Sequence, residues 1–240
     1  MDNKRYSYLG KGLYSTSEVA RLSGASSSSI RRWLHGYSHK SQGVEVCRKA
    51  IIEHDYSKLD GSIALSFLDL IEVLFVSAFR RHGIPLQTIR VASRRAAALV
   101  HGSHPFATRR FFTDGKTILT DIAPELARES EIKSDANDLL NLVHQQYEIH
   151  DIVWPILSGS VEFGEFDLAQ RWWPLGTDVP VVIDPQRNLG KPSIAGEYVP
   201  TSAIARSYKA EQDLKRVANC YRISEEMVHL ALDFEKTFAA

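Results

Sequence analysis

The sequence predicts a mainly α-helical fold with small β elements, an α+β arrangement with an N-terminal helix-turn-helix, a short middle sheet and a C-terminal three-helix module. Three observations predict it. Two short helical patterns flank a glycine-containing turn between Ser15 and Gly36. Apolar residues at helical spacing then dominate residues 68–100, and three more helical patterns close the chain after Ser202. The suggested strands are short and confined to about residues 50–66, 111–119 and 156–173. At 240 residues the chain exceeds one minimal domain, and it divides by pattern into residues 1–104, 105–178 and 179–240.

In the first helix, Ser15 and Glu18 form the capping pattern S-x-x-E, in which each side chain satisfies a free backbone N–H of the first turn. Val19 and Leu22 share a face, and Gly24 supplies the left-handed residue that ends the helix. The serines that follow are capping residues for a second helix, whose buried stripe is Ile30, Trp33 and Leu34. Gly36 closes it. Two strands are expected at about Ala50–Tyr56 and Ser62–Ser66, joined by a turn at Asp60-Gly61. A long helix over Leu68–Arg81 stops at His82-Gly83, and Pro85 opens the next, to about Val100. Asp114-Gly115 signals a hairpin at Phe111–Leu119, residues 135–150 read as an amphipathic helix, and Ile156–Trp173 as strands. Proline and glycine make Pro174–Pro192 a linker or the entrance to a domain, and helices are expected at Ser202–Tyr208, Gln212–Cys220 and Glu225–Phe238.

Composition sets outer limits. The formal net charge is zero, from 29 Lys and Arg against 29 Asp and Glu, but the charge is uneven. Residues 73–113 hold seven arginines (80, 81, 90, 94, 95, 109 and 110) and no acid. Residues 121–167 hold eleven acids against Arg128 and Lys133. This polarity fits one face for phosphates and another for something else. Cys47 and Cys220 form no CxxC pair, so reduced thiols are the simpler reading. The basic N-terminus has no apolar run behind it, and nothing approaches the roughly eighteen apolar residues that span a bilayer. A soluble, cytoplasmic protein with no membrane partner is expected.

The chemistry sits on the second helix of the first pair, Ser26-Ser27-Ser28-Ser29-Ile30-Arg31-Arg32-Trp33-Leu34-His35. Outside its apolar stripe lie small hydroxyls, two arginines and a histidine, with no carboxylate to repel DNA. Hydroxyls and helix N-terminal amides suit phosphate oxygens, and arginine also forks onto guanine O6 and N7. In a helix-turn-helix this second helix enters the major groove. The DNA-binding set is therefore Ser26, Ser27, Ser28, Ser29, Arg31, Arg32 and His35, with Arg80 and Arg81 from the acid-free stretch. The stretch from Tyr14 to Trp33 resembles the winged helix-turn-helix of MerR-type regulators, with Glu18, Ala20 and Gly24 as scaffold and Arg31 and Trp33 on the recognition helix. Residues 67–90 are similar to the helical pair after the wing in that family. Residues 37–62, where the wing belongs, are longer than usual and lack a clear match. The resemblance implies a winged reading head that binds paired half-sites as a homodimer. It does not imply metal or drug sensing, because no dimerising coil with effector cysteines follows.

At the other end, Val181-Val-Ile-Asp-Pro, Gly190-Lys-Pro-Ser-Ile-Ala-Gly196 and Val217 to Leu232 are similar to a family of unknown function, number four-three-three, found in VapB-like antitoxins. Gly196 is followed by Glu197 and Tyr198 where many members carry a basic G-T-R. The last helix has Met227, Val228, Leu230, Ala231 and Phe234 on its apolar side and displays Glu225, Glu226, Asp233 and Glu235. Those carboxylates would oppose DNA phosphates, so a protein-contact or dimerisation module is the better reading. Together the two resemblances imply a VapB-like antitoxin that represses its own operon and neutralises a PIN-domain ribonuclease by inserting a basic side chain into its acidic site. The alternative is a stand-alone MerR-like transcription regulator without a toxin.

Enzyme motifs are weak. Gly10-x-Gly12 lacks its third glycine, and Gly190-Lys191 lacks the rest of a P-loop. His101 and His104 offer two imidazoles with no third ligand spaced nearby, and read as DNA-facing or merely exposed. Glu162, Glu165 and Asp167 read as the wet side of an alternating surface, and Arg171-Trp172-Trp173 as either an interface anchor or core. No catalytic residue, cofactor or metal is expected.

Overall fold

The computed structural model describes residues 9–41, 44–56, 61–111, 159–164 and 166–238. The first elements are β1 (Tyr14–Ser15), α1 (Thr16–Ser23) and α2 (Ser27–His35). Ser15 and Glu18 close the capping box, and Gly24 ends α1 with φ 68°. Ser26 caps α2, and Ile30, Trp33 and Leu34 are its buried residues. The α1–turn–α2 unit therefore follows the sequence closely.

The strands after it do not lie where Ala50–Tyr56 and Ser62–Ser66 put them. The wing is an antiparallel hairpin of β2 (Tyr37–Ser41) and β3 (Val44–Arg48), in register from Tyr37↔Arg48 to Ser41↔Val44. Gly36 launches it at φ 74°, and a Cβ there would strike the Arg48 carbonyl oxygen. Beyond the hairpin, residues 50–56 form bends, not a strand. Ile51 and Ile52 turn inward, their N–H groups donating to the Trp33 carbonyl at 2.7 and 3.1 Å. Of the second expected strand only β4 (Ala64–Leu65) forms, and it pairs with β1.

Helix α3 (Phe67–Arg81) is buried on nearly every side, as a central helix must be. Ser66 and Asp69 form its capping box, and α4 (Leu86–Val100) follows after Pro85. A 3-10 turn at Pro105–Ala107 packs back on α3. Of the expected hairpin at 111–119 only Phe111 is described, and it is helical; the rest of it and the helix at 135–150 lie outside the described residues.

The strands β5 (Val161–Phe163) and β6 (Ala169–Trp172) form an antiparallel pair, bridged by Trp172↔Ile183 to the segment that follows. That segment, 174–192, is not a linker. Val181, Val182, Ile183 and Asp184 are buried, and β7 (Val181–Val182) joins β8 (Ser193–Ile194) and β9 (Val199–Pro200) in a small antiparallel sheet. The chain closes with α5 (Thr201–Glu211), α6 (Leu214–Tyr221) and α7 (Glu225–Thr237). Buried side chains from α1 through α7 belong to one contiguous hydrophobic cluster, so the C-terminal helices pack on the same core as the helix-turn-helix.

Candidate nucleic-acid interface

The apolar stripe of α2 turns inward and so fixes what faces out. Ile30 is fully buried, while Arg31, Arg32 and His35 are exposed. The serine run is unequal. The Ser26 hydroxyl accepts from the Ser29 amide at 3.2 Å, and also hydrogen-bonds the hydroxyls of Ser28 and Ser29. Ser26 and Ser28 are exposed, and Ser27 and Ser29 half-buried. Ser27, Arg31 and His35 line a concavity of about 490 Å³, together with Ser15 and Ser17 of α1 and Ser62 before β4. Among the described residues no carboxylate lines it. A basic, hydroxyl-rich hollow at the N-terminus of α2 suits a phosphate, while the adjoining start of α1 is capped by Glu18. Ser15, Ser17 and Ser62 were not singled out from sequence for this role, because only folding brings α1 and the β4 strand beside α2.

His35 also meets His54 edge-to-face at 5.3 Å, placing the wing's exit against the end of α2. Arg90 Nε donates to the Lys49 carbonyl at 3.2 Å and Ser93 Oγ to the Ile51 carbonyl at 3.0 Å, so α4 holds that exit from behind. Arg80 and Arg81 sit elsewhere. Arg80 donates to the Ile84 carbonyl at 2.7 Å and closes the turn after α3. Arg81 borders a second concavity with Arg21, Gly24 and Trp172, which shares no residue with the first. Further arginines of the acid-free stretch are engaged within the fold: Arg109 with Asp167 at 3.4 Å and Arg110 with the Leu99 carbonyl at 2.9 Å.

Other sequence readings change with burial. Of the histidine pair, His101 is exposed, but His104 is 5% exposed and not DNA-facing. Its Nε2 lies 2.9 Å from Asp69 Oδ1 and 3.8 Å from Asp55 Oδ2. Burial works against its charged form, but the Asp69 hydrogen bond and the charges of Glu72, Asp55 and Asp69 outweigh it and raise its pKa. Glu72 is 1% exposed, and burial pushes its carboxyl up to about 8. Its Oε1 accepts from the amides of Phe106 and Ala107 at 2.6 and 3.1 Å. Glu162 is not simply wet, since its carboxylate accepts from Trp173 Nε1 at 2.9 Å and pairs with Arg171 at 3.4 Å. Trp172 is core, at 6% exposure. On α7, Glu235 is not displayed: it pairs with Arg21 of α1 at 2.9 Å and accepts from the Thr201 hydroxyl at 2.6 Å.

The C-terminal segment docks on the start of α1. The buried Tyr14 hydroxyl donates to the Gly190 carbonyl at 2.8 Å, and Leu13 N–H donates to the Leu189 carbonyl at 2.9 Å. Burial raises the Tyr14 pKa well above its ordinary value, so the hydroxyl keeps its proton as a donor. Next door, Lys191 pairs with Glu18, the capping-box residue of α1. Glu18 is half-buried, which disfavours its charge, yet the Lys191 contact and the Ser15 amide hold its pKa below the ordinary value.

This geometry is a helix-turn-helix with a β-wing, braced by a C-terminal module. Residues 12–93 match a family described as "Putative DNA-binding HTH domain", and residues 181–234 match "Protein of unknown function (DUF433)". Over 223 residues the chain is 27% identical to "Putative antitoxin VapB45" of Mycobacterium tuberculosis, covering 92% of each protein. The crystal structure of Rv2018 from Mycobacterium tuberculosis shares the fold, with a TM-score of 0.68 at 23% identity, covering 94% of this chain and 99% of that one. The chain thus resembles an antitoxin over nearly its whole length, and its N-terminal helix-turn-helix matches the "Putative DNA-binding HTH domain" family.

Proposed function

We propose that the chain is a cytoplasmic, DNA-binding antitoxin that neutralises a PIN-type ribonuclease and represses its own operon as a homodimer. The observation that carries the DNA half is the hydroxyl-rich, basic hollow of Ser17, Ser27, Arg31 and His35, with Ser15 beside them, next to the β2–β3 wing. Arg31 and Arg32 of α2 reach the groove to meet phosphates as well as base edges, and the serine-rich N-terminus of α2 holds phosphate. The MerR-like order of helix pair, wing and helix pair supports major-groove entry by α2 with the wing alongside. The toxin half rests on the likeness to an antitoxin over nearly the whole chain.

The test is co-expression with the product of the neighbouring gene, followed by purification and ribonuclease assay. The expected result is a stable complex whose ribonuclease is silent, and which binds DNA upstream of its own gene. A chain that binds that DNA but neither captures nor inhibits the neighbouring product is a stand-alone regulator, and the toxin half fails.

A further inference from the structure

Asp55, Asp69 and His104 come from three separate segments: the exit of the wing, the first turn of α3 and the stretch after α4. One ligand atom from each lies within 4.8 Å of the others. Two spacings are 2.9 and 3.8 Å, close to the roughly 3.3 Å edge of a tetrahedron with metal–ligand bonds of about 2.0–2.1 Å. The outer contacts are in place. His104 Nδ1 lies 3.0 Å from Ser103 Oγ, and Asp69 Oδ2 accepts from the amides of Ser66 at 2.8 Å and Asp55 at 3.3 Å. The Asp69 side chain is wholly buried, whereas that of Asp55 is 25% exposed and leaves a way in from solvent.

A second observation points the same way. Glu72 lies three residues along α3, on the same face as Asp69, against the backbone just after His104. Its Oε2 is buried and has no hydrogen-bond partner among the described residues. Two buried carboxyl groups, Asp69 and Glu72, thus lie near a single buried imidazole, with the exposed Asp55 at their edge. An unmatched buried oxygen beside such a donor set is what a cation or its bound water would satisfy.

We propose that Asp55, Asp69 and His104 form a divalent metal site that takes Zn²⁺, pinning the root of the wing to α3 and α4. The mixed imidazole and carboxylate set suits Zn²⁺ better than Mg²⁺ or Ca²⁺, which prefer all-oxygen shells. One imidazole nitrogen and two carboxylate oxygens leave the fourth position to water.

The test uses the full chain, free of any histidine tag and stripped with chelator, titrated with Zn²⁺ by calorimetry and with Co²⁺ by visible absorption. The expected result is one equivalent bound with a higher melting temperature, and affinity at least about ten-fold weaker in Asp55→Asn and His104→Gln. Asp55→Asn is the decisive variant, because its partly exposed side chain can change without unfolding the protein, as circular dichroism would verify. Failure of the wild type to bind Zn²⁺ at micromolar concentration overturns the proposal. So does equal binding by folded Asp55→Asn, which would move the ion elsewhere, for example to His35 and His54. DNA affinity is read separately, so this proposal and the DNA-binding reading fail independently.

Discussion

The contact between Tyr14 and Gly190 joins the start of the helix-turn-helix to the G-K-P motif, 176 residues away in sequence. Tyr14→Phe keeps the ring, which is 1% exposed, and removes the donor from a buried carbonyl. An unmatched buried acceptor costs about 1–3 kcal/mol. For a chain of this size each kcal/mol lowers the melting temperature by about 2–4 °C, so a drop of at least about 2 °C is expected. Gly190→Ala is worse for two reasons. Gly190 sits at φ +80°, where a side chain costs about 1–2 kcal/mol, and its new Cβ would run into the Tyr14 hydroxyl. That collision is relieved in part when the hydroxyl is absent. The double variant should therefore lose less stability than the sum of the two singles, a coupling of about 0.5–3 kcal/mol. The assay is urea unfolding of all four proteins, monitored by tryptophan fluorescence. Wild-type stability in Tyr14→Phe, together with strictly additive losses in the double variant, would refute the packing of the C-terminal module on α1.

Two further expectations concern local chemistry. Ser26→Ala removes the α2 cap and should cost about 0.5–2 kcal/mol in urea unfolding; no loss would mean the cap is replaceable by water. In metal-free buffer, Glu72 has its folded pKa raised to about 8, so its favourable contribution is complete below its unfolded pKa and is lost as pH rises through about 8. Wild-type stability should then fall across pH 6–8 by up to about 1.4 kcal/mol per unit relative to Glu72→Gln, and parallel profiles would exclude the raised pKa.

What the sequence disclosed followed from local physics. The caps at Ser15 and Ser26, the stripe Ile30-Trp33-Leu34 and the stop at Gly24 need only a few neighbouring residues, and all appear as expected. The hairpin strands inside the wing region escape detection because β2 and β3 carry Ser, His, Lys, Glu, Cys and Arg among few apolar residues. Asp60-Gly61 gave the more familiar turn signal. Residues 174–192 read as a linker because prolines and glycines surround the short apolar run Val181-Val182-Ile183, which is buried together with Asp184. The union of Asp55 with Asp69 and His104, like that of Tyr14 with Gly190, spans separate segments and leaves no local periodicity to detect.

The central claim is that the outward face of α2 reads DNA. Arg31 and Arg32 are both exposed, so replacing both with alanine spares the core while removing two charges. The measurement is the affinity of wild type and Arg31→Ala/Arg32→Ala for DNA upstream of the gene, by fluorescence anisotropy across salt concentrations. If both side chains neutralise phosphates, the log–log slope flattens by about two units as affinity falls. An unchanged slope and unchanged affinity in a folded double variant would contradict the assignment of α2 as the reading helix.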